Sequence, residues 1–354
     1  MRLAVLKSGD YSAWADTHDG QLPYRIDLLR DAGVDLRFTD RHLHGPLLQP
    51  PVANAVGALE RRLVPSMQTM SLLPEIVRAE AVLAMFESEG HLLAAMRYAR
   101  LPGVRRPVFG ILACWLAEVL PKASPRKLDW YRRLYSTVDV VFVLSSSQVD
   151  FVANLLDIRR ERVRFIHFGI DEESFAPEFA TEGEYVLAAG RDRGRDWPTL
   201  LAAARQLDVP FRVLARARDL DGLELPKNVE MLGYRPFEQY RELLLGARVV
   251  VVPTDSRPYP TGQTVMLEAM AAGKATVVTE TAAIGDYLTG DNALAVRVGD
   301  ADGLAAAIDR SYRDATVRRS LCLRARSYVL TNATATAMWS AVHHGLSAAQ
   351  RSAP

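Results

Sequence analysis

The chain has 354 residues, of which 49% are hydrophobic and 24% charged, and its formal net charge is +1. This length and composition predict a soluble globular protein with two domains of ordinary size. The nearly balanced charge argues against binding to nucleic acid through bulk electrostatics, although a local basic patch stays open.

The first half of the chain alternates between strand and helix patterns. Segments 2–7 and 34–40 are typical of buried strands, and the apolar spacing of 22–33 between them predicts a helix. Such a strand–helix–strand unit predicts a parallel sheet. Further strands are predicted at 81–87, 106–113 and 138–145. The segment SSSQVDFVANLLDI (145–158) predicts a helix that is capped by serine.

Residues 41–75 interrupt this alternation. Prolines divide the segment, and its leucine, methionine and valine residues are mixed with Arg61 and Arg62, which predicts a helical insertion. Such a surface suits either the headgroup region of a membrane or an amphipathic helix that packs on the sheet. Packing is the favoured interpretation, so contact with a membrane surface stays open without being favoured.

A second series of strand and helix patterns begins after a connection that contains Gly169 and Pro177. Its strands are predicted at 185–190, 211–216, 229–234, 248–253, 275–279 and 293–298. The predicted organisation is a first domain at 1–168, a connection at 169–183, a second domain at 184–330 and a final segment at 331–354. Two parallel sheets in one α/β chain predict a cleft lined by the carboxyl ends of their strands.

The stretch PYPTGQTVMLEAMAAGKATVVT (258–279) predicts a loop, a helix that begins near Gly262, and a strand. The amides of Gly262, Gln263 and Thr264 lie at the positive end of this helix, which suits a pyrophosphate. Glu268 follows Thr264 by one helical turn and could accept hydrogen bonds from the two hydroxyls of a ribose. The alternative is an ordinary glutamate on a solvated helix face, but the apolar neighbours of Glu268 favour ligand binding.

Arginines are concentrated in AAGRDRGRDWPTLLAAA (188–204). A predicted strand ends at Gly190, and Arg191, Arg193 and Arg195 then occupy a short loop before a helix. Guanidinium groups at the carboxyl end of a strand suit phosphate oxygens, which arginine can hold through two parallel hydrogen bonds. A solvated basic loop is the alternative, and the position at the end of a strand favours phosphate binding.

These segments resemble the retaining glycosyltransferases of the GT-B fold, most of all glycosyltransferase family 4. RVRFIHFGIDEESFAP resembles the family's interdomain segment, AAGRDRGRDWPTLLAAA its phosphate loop, and GQTVMLEAMAAGKATVVT its signature helix. VEMLGYRPFEQYRELLLGARVVVVPT resembles the loop, helix and strand between them. The resemblance covers about residues 138–310 in the right order, whereas the first half matches only in pattern. It implies two Rossmann-like parallel-sheet domains that face a cleft, with the C-terminal helix crossing back to the first domain.

The resemblance also implies roles for individual residues. Arg191 stands where the family binds phosphate, and Arg195 lies near the position of the family's lysine, with Arg193 as a rival for that role. Glu268 matches the glutamate that holds the donor's ribose. Catalytic roles are thus implied for Arg191, Arg195 and Glu268. Donor-binding roles are implied for Gly20, Gly190, Arg193, Gly262, Gln263 and Thr264.

Two departures from the family pattern concern the donor sugar and the acceptor. Pro260 stands where the family has a glutamate that touches the donor sugar, and Gln263 or Thr261 could replace that contact. The strand at 106–113 is not followed by the family's histidine. The candidate acceptor-side residues are His18, Glu87 and His91, and for His91 a core or surface role is an equal alternative.

The implied activity is retaining transfer of a hexosyl-type group from a nucleoside-diphosphate sugar to a sugar, lipid-linked or small-molecule acceptor. No metal or other cofactor is expected, because the arginines and the helix start would stabilise the leaving diphosphate. Two alternatives stay open, a non-catalytic nucleotide-sugar-binding protein and a GT-B-fold sugar-nucleotide epimerase. Since MRLAVLKSGD lacks the pattern of a signal peptide, a cytoplasmic location is expected, with peripheral membrane contact not favoured.

Overall fold

The structure is a computed structural model that describes residues 1–7, 21–38, 68–176 and 183–351. The predicted site residues His18 and Gly20, and most of the insertion predicted at 41–75, lie outside the described residues. Contacts within the chain define two compact units: Met1–Ile166 together with Trp339–Pro354 form the first unit, and His167–Met338 form the second.

A parallel sheet of six strands forms the centre of the first unit, in the order β2-β1-β3-β4-β5-β6. The strands are β1 (Arg2–Leu6), β2 (Asp35–Arg37), β3 (Ala81–Ala84), β4 (Val108–Ala113), β5 (Val140–Val143) and β6 (Val163–Phe165). The helices are α1 (Leu28–Asp31), α2 (Leu73–Arg78), α3 (Glu87–Tyr98), α4 (Leu116–Val119), α5 (Pro125–Tyr135) and α6 (Ser147–Leu156). The strands β3, β4 and β5 are buried along their whole length, as expected where helices cover a parallel sheet.

The segment 22–33, predicted as one helix, forms only the short helix α1 after a 3₁₀ turn at Pro23–Arg25. Tyr24 and Arg25 have left-handed φ angles of 58° and 55°. Consecutive left-handed residues cannot continue a right-handed helix, so the prediction of a single helix is wrong. The apolar spacing is real, because Ile26 and Leu29 are buried, but it does not report the backbone turn between them.

The helix predicted at 145–158 is present, but the side chain of its N-cap residue does not cap it. The helix α6 begins at Ser147, and the side chain of Ser146 makes no capping hydrogen bond. The hydroxyl of Ser145 instead accepts a hydrogen bond from the amide of Ser147, at 3.3 Å. The helix ends at Leu156, and the next residue, Asp157, takes the left-handed conformation with φ of 54°.

The second unit also has a parallel sheet of six strands, in the order β12-β11-β10-β7-β8-β9. The strands are β7 (Val186–Ala189), β8 (Phe211–Leu214), β9 (Val229–Met231), β10 (Val249–Val252), β11 (Ala275–Thr279) and β12 (Leu294–Val296). The helices that begin in it are α7 (Trp197–Ala204), α8 (Phe237–Leu245), α9 (Gln263–Ala271), α10 (Ala301–Arg313), α11 (Ala315–Asn332) and α12 (Ala335–Arg351). Each strand predicted for this half of the chain is present, one to three residues shorter at its ends or unchanged.

From Trp339 onward, the helix α12 belongs to the first unit. Trp339 is buried there, and its indole N–H donates to the backbone oxygen of Tyr24 at 2.7 Å. A Cβ atom on Gly345 would come within 2.5 Å of the ring of Phe142, so the helix lies directly against β5. The predicted return of the C-terminal helix to the first domain is therefore confirmed.

Candidate functional site

The candidate site lies where the strand order of the second sheet reverses. β7 pairs with β8 on one side and with β10 on the other, and the chain leaves β7 and β10 in different directions. Loops at the carboxyl ends of two such strands form the usual ligand-binding crevice of an open α/β sheet. Here these loops are 190–196 after β7 and 253–262 after β10.

The loop after β10 ends in Gly262, which precedes the first turn of α9. Gly262 has a φ of 80°, and no side chain caps the helix. A Cβ atom at this position would lie 2.5 Å from Val252 Cγ1 and 2.7 Å from Arg195 Nη1. Glycine is therefore required both by the backbone angle and by the close approach of an arginine. The uncapped first-turn amides and the helix dipole attract an anion at this point.

Arg195 is the buried cation of the site, with 9% of its surface exposed. Its backbone forms a β-bridge with Thr254, which fixes the end of the loop after β7 against the loop after β10. Its guanidinium folds back over Gly190, where a Cβ atom would come within 1.9 Å of Nε. Nε and Nη1 have no hydrogen-bond partner among the described residues, which leaves two donors of a buried cation unused.

Asp192 lies beside this cation. Its Oδ1 is 3.3 Å from Arg195 Nε, an ion-pair distance without hydrogen-bond alignment. Its Oδ2 accepts a hydrogen bond from the hydroxyl of Thr261, at 2.9 Å. Burial lowers the pKa of Arg195, and the charge of Asp192 opposes that effect. The carboxylate therefore partly balances the arginine and ties the two loops together.

The other two arginines of the loop have different surroundings. Arg191 is exposed and stacks on the ring of Tyr234, with its Cζ 4.9 Å from the ring centroid. Arg193 is exposed, and its backbone oxygen accepts a hydrogen bond from Arg257 Nη2 at 3.0 Å. Of the three arginines in the motif, only Arg195 is buried against the start of α9.

Glu268 lies one turn into α9 and accepts a hydrogen bond from the hydroxyl of Tyr240, on α8. Burial raises the pKa of Glu268 to about 7, while the bond from Tyr240 and the charge of Arg195 lower it. Gln263, in the first turn, is 8% exposed, and its Oε1 has no hydrogen-bond partner among the described residues. Thr264 is exposed on the same turn. The site thus combines buried polar groups with unused hydrogen-bonding capacity.

Sequence reasoning missed Tyr240 and Asp192. Tyr240 precedes Glu268 by 28 residues, and Asp192 precedes Thr261 by 69, so neither pair has a local spacing that could reveal it. Asp192 does stand within the arginine motif. Its negative charge among three arginines was the feature of the sequence that could have identified it.

In the first unit, Glu87 begins the helix α3 and is buried. Its Oε1 accepts hydrogen bonds from the amides of Trp115 and Leu116, at 2.5 Å and 2.9 Å. Burial raises its pKa to about 7, against the lowering effect of these amides. Glu87 therefore holds the loop between β4 and α4 and caps the start of that helix.

His91 lies on α3 among three aromatic rings. Its ring centroid is 5.2 Å from that of Trp130, 5.6 Å from Tyr131 and 6.4 Å from Tyr135. Its Nε2 is buried without a hydrogen-bond partner among the described residues. Burial, with a smaller effect of Lys127, lowers its pKa to about 4. These surroundings favour the core role for His91 over the acceptor role.

Within the described ranges, no group of three histidine, cysteine, aspartate or glutamate side chains could hold a metal ion. In the same ranges, no helix has the length and apolar character needed to cross a membrane.

Residues 194–314 match the family model described as glycosyl transferases group 1. The predicted enzyme class, a glycosyltransferase, is confirmed by this match. The matched region contains Arg195, Gly262 and Glu268, and it begins after Arg191 and Arg193. No curated protein sequence matches the chain.

Solved structures share the fold along nearly the whole chain. Sucrose-phosphate synthase from Thermosynechococcus elongatus is 18% identical, with 99% of this chain and 100% of that chain covered and a TM-score of 0.67. Anabaena HepE in complex with UDP and glucose is 17% identical, with 98% and 99% covered and a TM-score of 0.64. The UDP-forming trehalose-phosphate synthase of Burkholderia xenovorans, in complex with glucose-6-phosphate, is 14% identical, with 82% and 78% covered and a TM-score of 0.65. The predicted GT-B fold class is confirmed.

Proposed function

We propose that the chain is a retaining glycosyltransferase that moves a sugar from a nucleoside-diphosphate sugar to a hydroxyl acceptor. The observation that carries the proposal is the buried guanidinium of Arg195, with two unused donors, beside Gly262 at the start of α9. Asp192 balances the charge of Arg195 only in part, and buried donors that make no hydrogen bond are costly unless a ligand accepts from them. A helix start attracts the same kind of ligand. A diphosphate has the charge and the oxygen atoms to satisfy both.

The same groups suit the chemistry of transfer. When the bond from the anomeric carbon to the diphosphate breaks, its electron pair stays on the diphosphate oxygen. Arg195 and the amides of α9 are placed to stabilise that developing charge, and Arg191 and Arg193 can add to it from the loop. In the retaining reaction that we propose, the acceptor hydroxyl attacks from the same face of the sugar. Its proton passes to the leaving phosphate oxygen, so no resident metal or separate base is required.

Glu268 is proposed to bind the ribose of the donor. Its carboxylate lies one turn after Thr264 and is oriented by Tyr240, which leaves hydrogen-bonding capacity for two vicinal hydroxyls. Because HepE is described in complex with UDP, a uridine nucleotide is the first donor to test for this chain.

The decisive experiment is an assay of net sugar transfer. The chain is incubated with UDP-sugars and a set of sugar, lipid-linked and small-molecule acceptors, and the glycosylated product is detected by mass spectrometry, with its anomeric configuration assigned by NMR. An inverted product would contradict the retaining mechanism. Nucleotide binding without transfer would favour the non-catalytic alternative, and acceptor-independent change of the donor's sugar would favour an epimerase.

We also propose that the protein acts in the cytoplasm, where nucleotide sugars are available to it, with peripheral membrane contact as the less favoured arrangement. Fractionation of cells that express the chain from its own promoter would test this, because recovery with membranes that resists salt washing would contradict a cytoplasmic location.

A further inference from the structure

Three aromatic side chains form a partly exposed surface in the first unit, which we call the aromatic platform. It consists of Tyr24, Phe86 and Trp115. The rings of Phe86 and Trp115 are tilted by 32° with centroids 5.5 Å apart, and Tyr24 meets Phe86 edge-on at 6.2 Å. Trp115 and Tyr24 are each 46% exposed. So much exposed aromatic surface in one place is typical of a binding surface rather than of a core.

The platform lies where the first sheet would bind a ligand. Phe86 follows the carboxyl end of β3, and Trp115 follows that of β4. β3 pairs with β1 on its other side, and the order of the sheet reverses between β1 and β3. Tyr24 comes from the connection between β1 and β2. All three residues therefore belong to the edge at which open α/β sheets bind ligands.

Buried groups hold the platform in place. Glu87 fixes the backbone of Trp115 by accepting hydrogen bonds from the amides of Trp115 and Leu116. The buried Trp339 fixes Tyr24 through its 2.7 Å bond to the backbone oxygen of that residue. Tyr24 also has a left-handed backbone, with φ of 58°, which is uncommon for an aromatic residue. Strained backbone that is held by its surroundings is often found at ligand sites.

We propose that the aromatic platform binds the ring of an uncharged carbohydrate, with the apolar C–H face of the sugar on the indole of Trp115. An aromatic face carries negative partial charge and attracts the weakly positive C–H groups of a sugar ring. Pockets for small polar ligands combine such rings with a few polar groups, here the hydroxyl of Tyr24. The identification of this carbohydrate as the acceptor rests on the proposed transferase function. Its binding to the platform does not depend on that function.

The charges around the platform favour an uncharged sugar over a phosphorylated one. Glu87 and Glu89 are buried next to it. Burial raises the pKa of Tyr24, and Cys114 and the charge of Glu89 add smaller effects in the same direction. The nearest cation on the same turn, Arg25, pairs with Asp27 at 3.3 Å. A phosphate dianion on the platform would face the carboxylate of Glu89, and like charges oppose binding.

The test is saturation-transfer NMR on the full chain, without nucleotide. The ligands are methyl glucoside, methyl galactoside, methyl mannoside, N-acetylglucosamine, maltose, cellobiose and glucose 6-phosphate. We expect saturation transfer to at least one neutral sugar, a loss of at least tenfold in affinity in Trp115→Ala, and partial recovery in Trp115→Phe. The matched control is Trp130→Ala, because Trp130 lies on α5 of the same unit and is 44% exposed. This control should bind like the wild type.

The proposal is overturned if no neutral sugar of the panel binds, if Trp115→Ala binds as well as the wild type, or if Trp130→Ala loses as much. Tighter binding of glucose 6-phosphate than of the neutral sugars would overturn its charge argument. Circular dichroism and UDP titration of each variant separate the outcomes. UDP binding that persists without sugar binding contradicts the proposed role of the platform and not the transferase function. Sugar binding without transfer in any assay contradicts the transferase function and not the role of the platform.

Discussion

The guanidinium of Arg195 lies against the backbone of Gly190, so that a Cβ atom on residue 190 would come within 1.9 Å of Arg195 Nε. The substitution Gly190→Ala must therefore displace the guanidinium, although residue 190 offers no side chain to a ligand. We expect the dissociation constant for UDP, measured by titration calorimetry, to rise about tenfold to a hundredfold, because charged hydrogen bonds worth roughly 1.5–3 kcal/mol are lost.

The matched control for this change is Gly285→Ala in the same unit, where an added Cβ atom would have no neighbour within 4 Å. Its UDP affinity should equal that of the wild type. If Gly190→Ala also binds UDP normally while circular dichroism shows the fold intact, Arg195 does not bind the diphosphate.

The arginines of the loop should contribute unequally to nucleotide binding. Arg195→Ala should weaken UDP binding most, again by about tenfold to a hundredfold, because it removes the buried donors. Arg191→Ala should cost less, since Arg191 must first leave the ring of Tyr234, a contact worth roughly 0.5–1 kcal/mol. Arg193→Ala should change the affinity least, by less than about threefold, as expected of an exposed charge.

Arg195→Lys serves as the conservative companion in this series, because it keeps the charge beside Asp192 while removing the forked donors. In Arg195→Ala, Asp192 loses its cationic partner, which could unfold the protein. Arg195→Lys avoids that loss. An order of effects in which Arg193→Ala is the most damaging would give Arg193 the role that we assign to Arg195.

The sequence was sufficient to predict the order of the strands and helices. It was also sufficient to predict the chemistry of the loop after β7 and of the start of α9. Continuous apolar runs such as the four valines of β10 are typical of buried parallel strands, and these strands were predicted correctly. The difference in burial between Arg193 and Arg195 could not be predicted. It depends on the space beside Gly190 and Gly262 that the guanidinium of Arg195 occupies, and the fold creates that space. The same holds for Glu87, whose amide partners lie 28 and 29 residues away.

Glu268 should make stability depend on pH. Its pKa is about 7 in the folded protein against the usual 4.5, so between these values the folded state binds more protons than the unfolded state. The free energy of unfolding therefore falls as pH rises from about 5 to about 7 and levels off above that. Relative to Glu268→Gln, the wild type should lose roughly 1–3 kcal/mol between pH 5 and pH 8 in urea denaturation.

Glu87 also has a pKa of about 7 and contributes with the same sign. It is present in both proteins of that comparison, so its effect cancels in the difference. The variant Tyr240→Phe gives a second check: it removes the hydrogen bond that lowers the pKa of Glu268, so the fall should extend to higher pH. Equal pH dependence in the wild type and Glu268→Gln would show that Glu268 titrates normally.

The last prediction concerns the sugar of the donor. Pro260 offers neither a carboxylate nor an N–H, and the next hydroxyl, that of Thr261, is engaged by Asp192 at 2.9 Å. Gln263 has an amide oxygen that is buried without a partner among the described residues, so it can accept a hydrogen bond from the sugar. We expect UDP recognition to be kept while the preference moves away from common hexoses, toward a deoxy or otherwise modified sugar. A pocket that lacks a group for one hydroxyl does not penalise the sugar without it.

The measurement is turnover of a UDP-hexose against its deoxy analogue in the wild type, in Gln263→Ala and in the control Gln206→Ala. The side chain of Gln206 donates to Asp302 on α10 instead. Gln263→Ala should change the ratio of the two rates, and Gln206→Ala should leave it unchanged. A wild type that strongly prefers the fully hydroxylated hexose, together with an unchanged ratio in Gln263→Ala, would contradict both parts of the argument.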